Sequence, residues 1–187
     1  MSPEVLAMID SHVHGGYAPI DDIARMVIEC FDEDTLDPDE VHGLVKAAQR
    51  AHRKQSASWP ATTDCDRLDA AFLAMGARGI LVLPNAGLTQ SDGYGDFREA
   101  LHRHPTPESI VGYCFFHGQD LGLALRGHGL YLAFGPARAA LESTAGVEVG
   151  QAVADELRRV GFAVTWDGSV KQRIFVPEID WKRRRVR

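Results

Sequence analysis

Two polar segments follow short apolar runs that the sequence predicts as β-strands. Residues 89–94, Thr-Gln-Ser-Asp-Gly-Tyr, come after the apolar run 80–83, and residues 117–120, His-Gly-Gln-Asp, come after the run 110–116. The carboxyl ends of parallel strands meet at the same end of a sheet, where the ligand sites of α/β proteins gather. If the two runs are neighbouring parallel strands, their polar side chains therefore lie close together.

The residue types in these segments are suited to binding. The imidazole of His117 can donate or accept a hydrogen bond near neutral pH, and the carboxylates of Asp92 and Asp120 can accept hydrogen bonds or bind a cation. We predict a shared polar pocket for a small ligand or for one side chain of a protein partner. Its binding residues are Trp59, which supplies an aromatic wall, Asp92, Tyr94, His117, Gln119 and Asp120. The competing interpretation is that these groups only cap helices and tie loops together.

A further pair of candidate ligands, His12 and His14, stands near the N-terminus. On a β-strand both imidazoles would reach one metal ion, and residues 8–15 resemble the H-x-H strand with which metal-dependent amidohydrolases begin. Those enzymes, however, are barrels of roughly 250 residues with further ligands on later strands. A serine followed by proline is typical of a helix start, and an apolar residue then recurs every fourth position. We therefore predict a helix over residues 3–14, which directs the imidazoles apart, and expect neither a metal site nor a cofactor.

The elements that would position these residues fall into two parts. Residues 3–54 have the apolar spacing of three short amphipathic helices, and a polar connector follows at 55–62. From residue 63 onward, helices alternate with short apolar strands, of which we predict five, at 80–83, 110–116, 130–134, 162–166 and 173–176. The sequence therefore predicts an α+β fold, in which N-terminal helices precede a helix-covered mixed sheet of about five strands, a ferredoxin-like sandwich. The predicted parts are an N-terminal helical segment (1–54), an α+β domain (63–181) and a basic tail (182–187).

Charge is unevenly distributed along the 187 residues. The net charge is −6, but residues 1–41 contain eleven acidic side chains and one basic one, whereas the last six residues contain five basic ones. The globular part thus lacks the basic face of a nucleic-acid-binding protein, so we expect nucleic acid to bind, if anywhere, at the tail. Because the tail contains a single apolar residue, we expect it to bury little surface and to be dispensable for folding.

Composition is that of an ordinary globular protein. Hydrophobic residues make up 45% and charged residues 25%, and no apolar run approaches the roughly 18 residues that cross a membrane. Three separated cysteines form no C-x-x-C pair, which fits a reducing cytoplasm, where we expect the protein to reside. The sequence contains no phosphate-binding glycine loop, no serine-hydrolase elbow and no H-E-x-x-H zinc motif.

These observations leave two functions open. The missing catalytic signatures and the acidic N-terminal segment favour a non-enzymatic protein that binds a protein partner, as a regulator, an inhibitor or a toxin-neutralising immunity protein does. The alternative is a small hydrolase or transferase that uses His117 with Asp120 or Asp92, with or without a metal ion. Convergence of these side chains in a concave pocket would distinguish the enzyme from the binding protein.

A resemblance to a known family rests on several motifs taken together. They are Trp59-Pro60, Thr63-Asp-Cys-Asp-Arg-Leu68, Asn85–Tyr94, Gly112–Asp120, Gly129–Gly135 and Trp166-Asp-Gly168. In these motifs the chain resembles an uncharacterised family of bacterial proteins known as a domain of unknown function, over roughly residues 15–185. The resemblance implies that the N-terminal segment belongs to the same unit, and it supplies no activity. The order of elements is also loosely similar to the fold of the ribonuclease E inhibitor proteins, which act by binding another protein.

Overall fold

The computed structural model of the chain describes residues 1–31, 36–138 and 142–184. The described residues form seven α-helices and one four-stranded sheet. The chain divides into two compact units, of which the first comprises Met1–Thr63 with Trp181–Arg187 and the second comprises Asp64–Asp180. No helix in the described ranges is long and apolar enough to cross a membrane.

The first unit contains three helices, α1 (Pro3–Gly15), α2 (Ile20–Phe31) and α3 (Pro38–Ser56). The hydroxyl of Ser2 accepts a hydrogen bond from the Val5 amide, and Gly16 ends α1 in the left-handed conformation. The helix predicted over residues 3–14 is thus confirmed, and its geometry directs His12 and His14 to different sides. Apolar residues from all three helices form one core, which contains Val5, Ile9, Val13, Ile23, Ala24, Val27, Val41 and Val45.

The second unit alternates helices with strands along the chain. Its elements are α4 (Asp64–Ala77), β1 (Ile80–Leu83), α5 (Gln90–Arg103), β2 (Gly112–Phe115), α6 (Gly118–Leu125), β3 (Leu130–Pro136), α7 (Glu142–Arg159) and β4 (Ile174–Val176). A short 3₁₀ turn, Pro107–Ser109, lies between α5 and β2. The sheet order is β1-β2-β3-β4, with β1 parallel to β2 and the other two pairs antiparallel. The α+β class and the mixed sheet are thereby confirmed.

Across the described ranges the sheet has four strands rather than the expected five. The predicted strand at 162–166 makes only an isolated bridge between Thr165 and Phe175. The chain turns directly after it, since the Trp166 indole donates a hydrogen bond to the Ser169 carbonyl and the Ser169 amide donates one to Asp167. The strand order also differs from that of a ferredoxin-like fold, because β1 and β2 are direct neighbours and no strand lies between them.

Helices cover the two faces of the sheet unequally. On one face α7 approaches closely, because a Cβ atom on Gly112 of β2 would lie only 2.6 Å from a methyl group of Val149. The opposite face carries aromatic side chains, and α5 packs there with the Phe97 ring 4.4 Å from the ring of Tyr113. Farther along this aromatic face, Tyr131 of β3 stacks on Phe175 of β4 with 4.3 Å between ring centroids.

The described C-terminal residues pack within the first unit. The guanidinium of Arg183 lies 4.5 Å from the ring centroid of Tyr17, and Arg184 donates hydrogen bonds to the Trp59 and Pro60 carbonyls. The sequence predicts that the tail 182–187 buries little surface, whereas residues 182–184 are all partly buried. Residues 185–187 of that tail lie outside the described residues.

These contacts predict that the C-terminal arginines stabilise the first unit. In the double variant Arg183→Ala with Arg184→Ala, we expect the melting temperature to fall by about 4 °C or more, because a cation–π contact contributes about 0.5–1 kcal/mol and a charged hydrogen bond about 1.5–3 kcal/mol. Calorimetry of the full chain measures the shift. Lys46→Ala, which removes an exposed cation from α3, is the control. A double variant with the same melting temperature as the wild type would show that these two arginines are dispensable for folding.

Candidate functional site

The two polar segments singled out in the sequence lie side by side. Because β1 and β2 are parallel neighbours, their carboxyl ends meet at one end of the sheet. Three backbone hydrogen bonds then join the loops that follow, from Ala86 N to Phe116 O (2.9 Å), from Gly118 N to Gly87 O (2.9 Å) and from Gln119 N to Leu88 O (3.1 Å). The structure therefore brings residues 85–94 and 117–120 together, as the parallel arrangement predicts.

Asp92 caps helix α5. Its Oδ2 atom accepts hydrogen bonds from the amide and the hydroxyl of Thr89, both at 2.9 Å, while its own amide donates to the Thr89 hydroxyl. This is a capping box, in which two unpaired amides of the helix start are satisfied reciprocally. The hydrogen bond from the Thr89 amide is the main reason why the pKa of Asp92 is lowered. The exposed carboxylate of Asp92 thus serves the helix start.

His117 and Asp120 form a second capping box, at the start of α6, and both are buried, with exposures of 4% and 1%. The Asp120 amide donates to Nδ1 of His117, and the His117 amide donates to Oδ2 of Asp120. An accepting Nδ1 places the imidazole proton on Nε2, which lies 3.0 Å from Oδ2 of Asp120. Burial is the largest cause that lowers the pKa of His117, so the imidazole is neutral at pH 7.

Arg173 completes this cluster, and it is absent from the site that the sequence predicts. Its Nη1 atom lies 3.0 Å from both carboxylate oxygens of Asp120 and 3.3 Å from Nε2 of His117. The guanidinium rests on the ring of Tyr131, 4.8 Å from its centroid. A buried aspartate does require a cationic or hydrogen-bonding partner. However, nothing in the sequence indicates which of its 20 lysines and arginines supplies that partner.

The remaining predicted residues have separate surroundings. The Tyr94 hydroxyl accepts a hydrogen bond from Gln90, and its ring packs edge-on against Phe115 at 5.2 Å. Gln119 is exposed in the first turn of α6. Trp59 belongs to the first unit, where its ring lies edge-on to that of His52 at 5.3 Å. The structure thus joins Asp92, Tyr94, Gln119 and the buried pair in one region of the second unit, and places the contacts of Trp59 in the first.

Contacts inside the chain fully engage the buried pair of His117 and Asp120. Contacts inside the chain engage both nitrogen atoms of the imidazole and both oxygen atoms of the carboxylate, so neither residue presents a free general base. Nearby, burial raises the pKa of the Cys114 thiol, which disfavours a reactive thiolate. Among the described residues, no three His, Cys, Asp or Glu side chains are grouped so as to hold a metal ion. The cluster is therefore an electrostatic tie between α6 and the start of β4.

A second feature of this unit is the open side of β1. This strand is at the edge of the sheet, and a groove of about 550 Å³ runs beside it. Ten residues line the groove, namely Phe72, Leu73, Gly76, Ala77, Ile80, Leu81, Val82, Pro84, His104 and Ile110. Leu73 on α4 is 79% exposed, and it adjoins the other apolar side chains of the groove. The groove combines an unpaired strand edge with apolar side chains.

A comparison with protein families identifies the family of this chain. A family model described as "Domain of unknown function (DUF6891)" matches residues 1–185, which confirms the resemblance to an uncharacterised family. Searches of the curated proteins and of the solved structures found no match. Nothing in these comparisons supports the similarity to the ribonuclease E inhibitor proteins.

The buried, neutral state of His117 predicts a pH dependence of stability. Its folded-state pKa lies below the ordinary value of about 6.5, so the unfolded chain binds more protons just below pH 6.5 and stability falls as the pH falls through this window. We expect His117→Asn, which keeps a capping acceptor, to flatten this slope. Urea unfolding between pH 5 and 8 measures it, and the other seven histidines are common to both proteins. Equal slopes would contradict the prediction.

Proposed function

The chain belongs to the family described as a domain of unknown function, and we propose that it acts by binding another protein, as a regulator or an inhibitor does, rather than by catalysis. The observation that carries this proposal is the open edge of β1 with its apolar groove. The partner that fits it is a protein segment in extended conformation, with apolar side chains at alternate positions.

The backbone of β1 supports an extended partner. Within the described part of the chain, the backbone hydrogen bonds of residues 80–83 all go to β2. The other side of an edge strand presents unpaired N–H and C=O groups, which pair readily with an added strand. Many edge strands carry a lysine that prevents such pairing, but β1 consists of four apolar residues. Pro84, directly after the strand, limits the length over which a partner can pair.

The side chains around the groove support an apolar partner. Leu73 projects from α4 beside β1, and the neighbouring Gly76 and Ala77 are also exposed. Neither of these small residues fills the space next to Leu73, and a Cβ atom on Gly76 would meet nothing within 4 Å. A partner side chain that enters here loses contact with water on several sides. Burial of one leucine contributes about 1.5–3 kcal/mol to association.

The buried pair of His117 and Asp120, which follows the carboxyl end of β2, supports binding over catalysis. A general base needs an unshared acceptor within reach of its substrate, whereas the acceptors of His117 and Asp120 are engaged by the chain. No observation favours the hydrolase or transferase alternative, so we carry only the binding function forward.

The variant Leu73→Lys tests the proposal, with Leu88→Lys as its matched control. Both leucines are highly exposed, at 79% and 65%, but only Leu73 lines the groove. Partners captured by the tagged wild type from a lysate of the native host are identified by mass spectrometry, purified and titrated against all three proteins. We expect Leu73→Lys to weaken binding at least about tenfold, since about 1.4 kcal/mol corresponds to that factor, and Leu88→Lys to bind as the wild type does.

Three outcomes would overturn this assignment. Equal capture by the wild type and by an empty resin contradicts the binding function. If only Leu88→Lys loses binding, the interface lies at the carboxyl ends of β1 and β2 and not in the groove. If sedimentation shows that the wild type is a dimer and that Leu73→Lys is a monomer, the groove binds a second copy of this chain. Melting temperatures within about 2 °C of the wild type, as expected for exposed positions, show that both variants are folded.

A further inference from the structure

Arg173 is held by the chain through one of its three nitrogen atoms, and we propose that its free edge binds a carboxylate ligand. All of its polar contacts among the described residues are made by Nη1, with Asp120 and His117. Nε and Nη2 make no polar contact with any described residue. This site lies at the β4 end of the sheet, whereas the groove lies along β1, so the proposal does not depend on the proposed protein partner.

The free edge of the guanidinium has the geometry that a carboxylate requires. Nε–H and Nη2–H point in the same direction in a planar group, so they can donate two parallel hydrogen bonds to the two oxygen atoms of one carboxylate. The side chain of Arg173 is 30% exposed, which leaves part of it open to solvent. A lysine at this position would offer a point charge and not the two parallel donors.

The guanidinium is fixed before any ligand arrives. Asp120, whose side chain is 2% exposed, holds Nη1 through both oxygens, and the ring of Tyr131 supports the guanidinium plane from one side. Phe175 in turn stacks on Tyr131, so the support itself has little freedom. A ligand therefore does not bear the entropy cost of ordering a long arginine side chain.

The surroundings select the kind of carboxylate. Tyr131 and Phe175 are both partly exposed on this face, so an apolar or aromatic group attached to the carboxylate has rings to pack against. The carboxylate of Asp120 behind Arg173 offsets much of its positive charge, which disfavours a doubly charged phosphate relative to a singly charged carboxylate. The ligand class is therefore a monocarboxylate with an adjacent apolar group, either a free small molecule or a side chain or terminus of a protein.

Benzoate is the probe, and benzamide is its uncharged counterpart of the same shape. In NMR titrations of the full chain at constant ionic strength, we expect benzoate to shift the Arg173 Nε–H resonance and the Phe175 amide resonance in a saturable way. Benzamide should leave both unchanged. A saturable response to benzamide, or none to benzoate, overturns the proposal. Inorganic phosphate at the same ionic strength is the third arm, and an equal response to it overturns the assignment to carboxylates.

The variant Arg173→Lys tests the role of the paired donors. It retains a positive charge next to Asp120, and we expect benzoate, followed at the Phe175 amide, to bind at least tenfold more weakly. Lys171→Gln, which removes an exposed cation two positions away, is expected to bind benzoate as the wild type does. Unchanged affinity in Arg173→Lys overturns the paired-donor geometry. The wild-type titrations require no variant, so they decide the proposal even if Arg173→Lys does not fold.

Discussion

The buried carboxylate of Asp120 imposes the strongest constraint on the second unit. A carboxylate removed from water is costly unless hydrogen bonds and an opposite charge compensate it. Two separate parts of the chain meet this requirement, namely His117 between β2 and α6, and Arg173, which directly precedes β4. β4 is only three residues long, and besides pairing with β3 it makes a single bridge to Thr165, so the contact between Asp120 and Arg173 helps to hold the start of this last strand.

Two capping boxes stand side by side at the carboxyl ends of the parallel strands. Each strand is followed within a few residues by a helix, and a helix start leaves several backbone amides unpaired. The Thr89 and Asp92 pair satisfies one helix, and the His117 and Asp120 pair satisfies the next. Polar residues concentrated after strands therefore have a structural role here. The two pairs differ in burial. Asp92 is exposed to water, whereas the buried Asp120 needs a cation, which a residue far away in the sequence supplies.

Local patterns made much of this fold predictable. The helix over residues 3–14 follows from its cap and its apolar spacing, and the proximity of the two polar segments follows from β1 and β2 being parallel neighbours. The absence of a full strand at 162–166 was not predictable. An apolar run does not reveal that the chain turns at residues 166–169, so that the run makes only one bridge. Arg173 lies 53 residues from Asp120, so only the folded chain identifies that pair. Trp59 was assigned to the site because it precedes α4, but its contacts lie with His52 and Arg184.

The first unit is built from two separated stretches of the chain, and the whole second unit is inserted between them. A ribosome that has synthesised residues 1–63 has therefore not yet made Arg183, which packs on Tyr17, or Arg184, which bonds to the Trp59 carbonyl. Domains generally fold as units during synthesis, the N-terminal one first. In this chain the inserted unit is complete before the first unit, in which Tyr17 and Trp59 gain these contacts only after residue 184 has emerged.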